Sequence, residues 1–184
     1  MFNFKKENLP SIHHIIRCGL GCVFIVAGFS KLFPLKDFLT QLLAYKLPLN
    51  DHFLYFCAVL LIAFEICVGV ALLLNSHLNI SLLGAQLLLL SMIPVTIWGN
   101  MQHAPTCGCY GNLIHRQPWH ATIEDCVMFV ITFLLRPIQR DSCDINRTVE
   151  NWKLISIALI TFASLVYGFW QLKNVFAFQA ERLL

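Results

Sequence analysis

The chain has 184 residues, 58% apolar and 12% charged, with a formal net charge of +3 and a mean hydropathy of +0.68. Soluble domains run to about 45–50% apolar and about 25% charged. This chain therefore carries too little charge to coat a water-soluble fold, and its surplus apolar surface calls for lipid. The few positive charges are scattered, which excludes a basic nucleic-acid-binding face.

Crossing a bilayer core takes about 20 mainly apolar residues in a helix, and five stretches approach that length. The first runs from about Ile12 to Phe33, behind the basic pair Lys5 and Lys6. It ends in Phe29-Ser30-Lys31-Leu32-Phe33-Pro34 with no small-x-small cleavage site, so it reads as an uncleaved span. Pro34 ends it, Lys46-Leu47-Pro48-Leu49-Asn50-Asp51 marks the approach to the second, and no helix is read between them. The second span covers about Phe53 to Leu74 and reverses at Asn75-Ser76-His77 into the third, about Leu78 to Trp98. Pro94 is expected to kink that span near its end. The fourth is short, about Ala121 to Leu135, and Pro137 closes it. The fifth covers about Leu154 to Leu172. Trp98, Trp119, Trp152 and Trp170 fall near span ends, as in an aromatic belt. The expected fold is an all-α polytopic bundle, because lipid offers no partner for open backbone groups and no alternating barrel pattern is present.

Five spans put the two termini on opposite sides of the bilayer. Arg136, Arg140 and Arg147 surround the last interhelical loop, whereas Arg116 stands alone in the loop of residues 100–120. By the positive-inside rule the N-terminus is expected to be cytoplasmic and the 100–120 loop to face the oxidising compartment.

That loop reads NMQHAPTCGCYGNLIHRQPWH and concentrates polar chemistry between two greasy spans. Cys107-Gly108-Cys109 places two sulfurs one residue apart, and Gly108 and Gly111 allow unusual backbone angles. A disulfide closing so small a ring departs from relaxed geometry, and such bonds are the labile ones. Arg116 and protonated forms of His103, His115 or His120 would stabilise a thiolate there. Cys107 and Cys109 are the candidate redox pair. A metal site with His103 or His115 is a rival reading, although structural zinc usually uses wider spacing. A purely structural staple is the other.

Among the remaining cysteines, Cys57 and Cys126 enter early in the second and fourth spans, on the side of Cys107 and Cys109. Each is a candidate resolving partner, although for either one alone the packed helical thiol is the leading reading. Cys18 and Cys22 share one face of the first span, and Cys143 lies in the last interhelical loop. Glu65 is read as the one carboxylate deep in a span, with Lys31 and Arg17 as its candidate partners. It serves either as an interhelical tie or as a proton relay or quinone contact. Gln86 invites the same two readings. His120 and Glu124, one turn apart, suggest an interfacial hydrogen bond or a proton path from the dithiol. Gly19, Gly21, Gly28 and Gly69 are small residues that let helices approach closely.

Arg17-Cys-Gly-Leu-Gly21, Ala27-Gly28-Phe-Ser-Lys31-Leu32-Phe-Pro34, Phe38, Tyr45, Leu47-Pro48, Glu65, Gly69 and Cys107-Gly-Cys-Tyr-Gly111 together resemble the methylamine-utilisation MauE proteins, within the DoxX-like membrane group. The resemblance implies a bacterial inner-membrane protein with a periplasmic 100–120 loop and a four-helix DoxX-like core over residues 1–136. Residues 137–184 would add a cytoplasmic loop, a fifth transmembrane helix and a short tail. It also implies maturation or disulfide formation in periplasmic proteins, methylamine dehydrogenase among them, beside a thioredoxin-like MauD-type partner. Electrons from Cys107 and Cys109 would then pass through Cys57 or Cys126 to a membrane quinone near Glu65, and the reverse flow, delivering reductant, fits the residues equally. The rival functions are a non-enzymatic assembly scaffold and a Cys/His metal-handling protein.

Overall fold

The computed structural model describes residues 9–104, 117–138 and 147–181. Within them the chain forms α1 (Leu9–Leu32), α2 (Leu35–Leu43), α3 (Asp51–Leu74), α4 (Leu78–Met101), α5 (Pro118–Ile138) and α6 (Arg147–Glu181). All but α2 are long and apolar enough to cross a membrane. The protein is an all-α, multi-pass membrane bundle. Large apolar side chains such as Ile15, Ile80, Phe133 and Phe162 point outward, which is the surface lipid covers.

The spans alternate in direction. Gly21 of α1 lies against Gly69 and Leu73 of α3, while Gly28 lies against Ile66, so the two helices run antiparallel. A hydrogen bond from Thr122 Oγ1 to Thr96 Oγ1 (3.0 Å) joins the start of α5 to the late turns of α4. Asn75 takes up left-handed backbone (φ 53°, ψ 43°) to end α3, and His77 (φ 39°) turns the chain into α4. This is the reversal the sequence predicts, since asparagine tolerates that region better than most residues. One end of the bundle thus gathers the start of α1, the α3–α4 turn and the end of α5. The opposite end gathers α2, the end of α4 and the start of α5.

Helix α2 corrects the sequence reading, which placed no helix between Pro34 and Asp51. Leu35, Phe38 and Leu39 recur at helical spacing and all three are buried. They pack with Tyr55, Val59 and Ile62 of α3 and with Leu172 of α6 in one apolar cluster. Nine residues make an element too short to span, so a search for spans passes over it. Gly168 lets α6 lie against Val59, where an added Cβ would sit 2.8 Å from Val59 Cγ1. A second cluster joins Leu20 and Phe24 of α1, Leu72 of α3, Leu82 and Leu89 of α4, and Leu135 of α5. Helix α4 continues through Pro94 to Met101.

Candidate functional site

Lys31 sits in the last turn of α1, and antiparallel packing brings it to Glu65 of α3. Its Nζ donates to Glu65 Oε1 at 2.8 Å and to Oε2 at 2.6 Å. Lys31 is 3% exposed and Glu65 4%, so both heads have left solvent and lipid alike. Of the two partners the sequence offered, Lys31 is the one the fold selects. Arg17 is also buried, but its Nη2 donates to His14 Nδ1 at 3.3 Å, near the other end of α1.

The pair forms one wall of a cavity of about 30 Å³. Helix α1 packs on α3 and α4 packs on α5, whereas α1 and α5 scarcely touch among the described residues. The cavity is the space left there. Val23, Ala27 and Lys31 line it from α1, and Leu88 and Met92 from α4. From α5 come Ala121, Glu124, Asp125 and Met128. Those four positions follow the i, i+3, i+4, i+7 spacing of one helix face. Glu124 and Asp125 are half-buried, in contrast to the enclosed ion pair. At 1.5 Å per residue they lie about 9–11 Å from the start of α5, and Glu65 about 21 Å from the start of α3. The polar lining thus extends from the outer part of the bundle toward its middle.

Glu65 is the carboxylate deep within a span, and Glu124 and Asp125, near the start of α5, face the same cavity. The sequence sets Glu124 beside His120 and gives no sign that Asp125 shares its face with Glu65. The adjacent acids four to five residues inside an apolar run, on the face marked by Ala121 and Met128, signal charge within α5 but not its neighbour. Each charged side chain lining this cavity is a carboxylate or an ammonium. Among the described residues, no group of three or more His, Cys, Asp or Glu is placed to hold a metal ion.

Cys107, Cys109, His115, Arg116 and Cys143 lie outside the described residues. The described flanks of residues 105–116 are Ala104 and Gln117, at the α2 end of the bundle. At that end Trp98 Nε1 donates to the Tyr45 carbonyl at 3.1 Å, and Gly99 leaves room for the buried Tyr45 ring. His103 is exposed in left-handed backbone (φ 53°) just after α4. His120 is exposed in the first turn of α5, its ring centroid 4.0 Å from that of Trp119. Cys57 is a half-buried and Cys126 an exposed free thiol, and neither lines the cavity. Cys18, Cys22 and Cys67 are free thiols as well, with Cys67 packed against the α2–α3–α6 core.

The chain is similar to Protein TlpB of Flavobacterium psychrophilum, with 24% identity over 174 residues that cover 90% of this chain and 46% of that protein. It therefore spans about half the length of the curated relative it matches. No solved structure matches. Residues 9–136, which include α1 to α5 nearly to the end of α5, match the family described as Methylamine utilisation protein MauE, and the chain belongs to the MauE family.

Proposed function

We propose that this membrane protein exchanges disulfides with partner proteins through Cys107 and Cys109, in support of the maturation of extracytoplasmic proteins. The observation that carries the reading is the Cys107-Gly-Cys109 pair in the short connection between two membrane helices. Membership in the MauE family supports it, and the family description makes proteins of methylamine utilisation the first clients to consider. In this reading the connection faces the periplasm.

The exchange is written between dithiols. A partner thiolate attacks one sulfur of the Cys107–Cys109 disulfide, forming a mixed disulfide and releasing the other sulfur as a thiolate. The partner's second thiolate then attacks the mixed disulfide. The partner leaves as a disulfide, two electrons lower, and Cys107 and Cys109 carry those electrons as a dithiol. Reversal of the same two steps reduces a client, and the relative potentials set the direction. His103 and His120, exposed on the two flanks, would favour the thiolate when protonated. The exchange as written needs no quinone, and no step is routed through one.

A trapping experiment tests the proposal. In Cys109→Ser, Cys107 lacks its neighbour and should accumulate a mixed disulfide with a thioredoxin-like periplasmic protein, visible on a non-reducing gel and lost on reduction. The double variant Cys107→Ser/Cys109→Ser should trap nothing. Trapping that persists in the double variant would reject the assignment.

A further inference from the structure

An ionised group taken out of water needs a counter-charge and partners for its hydrogen bonds. Helix α1 buries two cations, Arg17 and Lys31, on one face, with Leu20, Phe24 and Ala27 between them at helical spacing. Lys31 has Glu65. Arg17 is 8% exposed, and its Nη2 donates to His14 Nδ1 at a long 3.3 Å. Arginine only donates, so His14 accepts there as a neutral ring and brings no counter-charge. The Nε and Nη1 of Arg17 are buried with no hydrogen-bond partner among the described residues, and no described carboxylate pairs with it.

Other orphaned groups lie at the same end. His13 Nδ1, Asn75 Oδ1 and Ser76 Oγ are also buried without a partner among the described residues. Gly21 lies against Leu73, so Arg17, one turn earlier in α1, falls level with the Asn75–Ser76 turn that follows α3. His13 is one turn further out. Buried polar groups are nearly always satisfied, so a gathering left unbonded marks a place for a group the chain does not supply. Depth indicates its class. The apolar stretch of α1 begins at Ile12, which puts Arg17 five residues, about 7–8 Å, inside it. That is within reach of the headgroup level for so long a side chain. A phosphate presents two oxygens that match the guanidinium fork, and basic pockets between membrane helices take lipid phosphates.

We propose that Arg17, with His13 and Ser76 beside it, binds a phosphate-class anion at the end of the bundle that holds the α3–α4 turn, and that a phospholipid headgroup supplies it. The guanidinium takes two phosphate oxygens, and the Ser76 hydroxyl and a His13 ring N–H donate to the others. In the empty site Nε and Nη1 are shut off from bulk water. His14 is exposed and its bond is long, so its ring swings off Nη2 to admit the anion. The site does not involve Cys107 or Cys109, so its fate and that of the disulfide reading are decided separately.

The test strips the full chain of lipid in detergent and offers it phosphatidylglycerol, diacylglycerol or inorganic phosphate in turn. Native mass spectrometry counts what stays bound, and circular dichroism follows the melt. Phosphatidylglycerol should remain at one per chain and raise the midpoint. Diacylglycerol, with the same tails and no phosphate, should do neither. Arg17→Met should fold, because no partner in the chain is left with an unpaired charge. It should bind phosphatidylglycerol about tenfold or more weakly, since hydrogen bonds to a charged group are lost. Arg17→Lys keeps the charge without the fork and should also bind more weakly, which holds the test open should the methionine variant not fold. Stabilisation by inorganic phosphate that the Arg17 variants abolish, with no lipid retained, would uphold the anion site and overturn the headgroup as its source. Equal retention of the two lipids, equal retention of phosphatidylglycerol by the parent and its folded variants, or no binding of either phosphate probe would overturn the proposal.

Discussion

Lys31 and Glu65, thirty-four positions apart in sequence, meet as an enclosed ion pair with both carboxylate oxygens engaged. Removing charged groups from water is costly, and the attraction recovers that cost only while both partners stay. Lys31→Met should therefore destabilise the bundle by about 3–5 kcal/mol by leaving Glu65 enclosed without its ammonium. The double variant Lys31→Met/Glu65→Leu should recover most of the loss, since an apolar pair of similar volume is often neutral or better. Thermal unfolding in detergent, followed by circular dichroism, measures both. Equal losses in the single and double variants would show that the pair does not act as a unit.

The α1–α3 contact depends on glycine at two facing positions. A Cβ on Gly69 would lie 2.8 Å from Ile25 Cγ1 and 3.0 Å from the Gly21 carbonyl oxygen, and backbone cannot move aside as a side chain can. Gly69→Ala should cost about 1–3 kcal/mol through overpacking. Gly19 has nothing within 4 Å of its added Cβ. Gly19→Ala should be neutral or should stabilise by up to about 1 kcal/mol, since glycine is the poorer helix former. Comparing the two midpoints in one detergent separates close approach from helix propensity.

Gly99 and Tyr45 fix the platform beside α4. An added Cβ on Gly99 would fall 2.7–2.9 Å from three Tyr45 ring atoms, and the Tyr45 ring is fully buried. Gly99→Ala should displace the Tyr45 segment and cost about 1–3 kcal/mol. Trp98→Phe removes the hydrogen bond to the Tyr45 carbonyl and should cost about 0.5–1.5 kcal/mol. Limited proteolysis between α2 and α3 should accelerate more in the glycine variant.

The spans were legible because hydropathy over long windows reports them directly, and Asn75 and His77 turn the chain where the sequence places a turn. Helix α2 was not, since its signal is a nine-residue amphipathic pattern behind Pro34. Lys31 and Arg17 were both in view as partners for Glu65. Only the antiparallel register of α1 and α3 decides between them, and one sequence does not encode that register visibly. Asp125 was missed because a carboxylate near a span end reads as interfacial until packing reveals an inward face. The roles of Cys107 and Cys109 rest on spacing and family resemblance.

Orientation has its own check. Cys107 and Cys109 precede α5, and Cys143 follows it, so opposite faces of the membrane should reach them. A membrane-impermeant maleimide added to spheroplasts should label Cys107 or Cys109 after reduction and spare Cys143 until the cells are opened. The reverse order would invert the assignment drawn from Arg136, Arg140 and Arg147.

The most direct measurement is the mass of the purified protein after thiol alkylation, taken across a graded series of redox buffers. The disulfide reading predicts that Cys107 and Cys109 gain alkyl groups together, in one two-electron step, while Cys18, Cys22, Cys57, Cys67 and Cys126 stay reduced throughout. If the Cys107–Cys109 pair keeps one oxidation state across the whole series, disulfide exchange is not what this protein does.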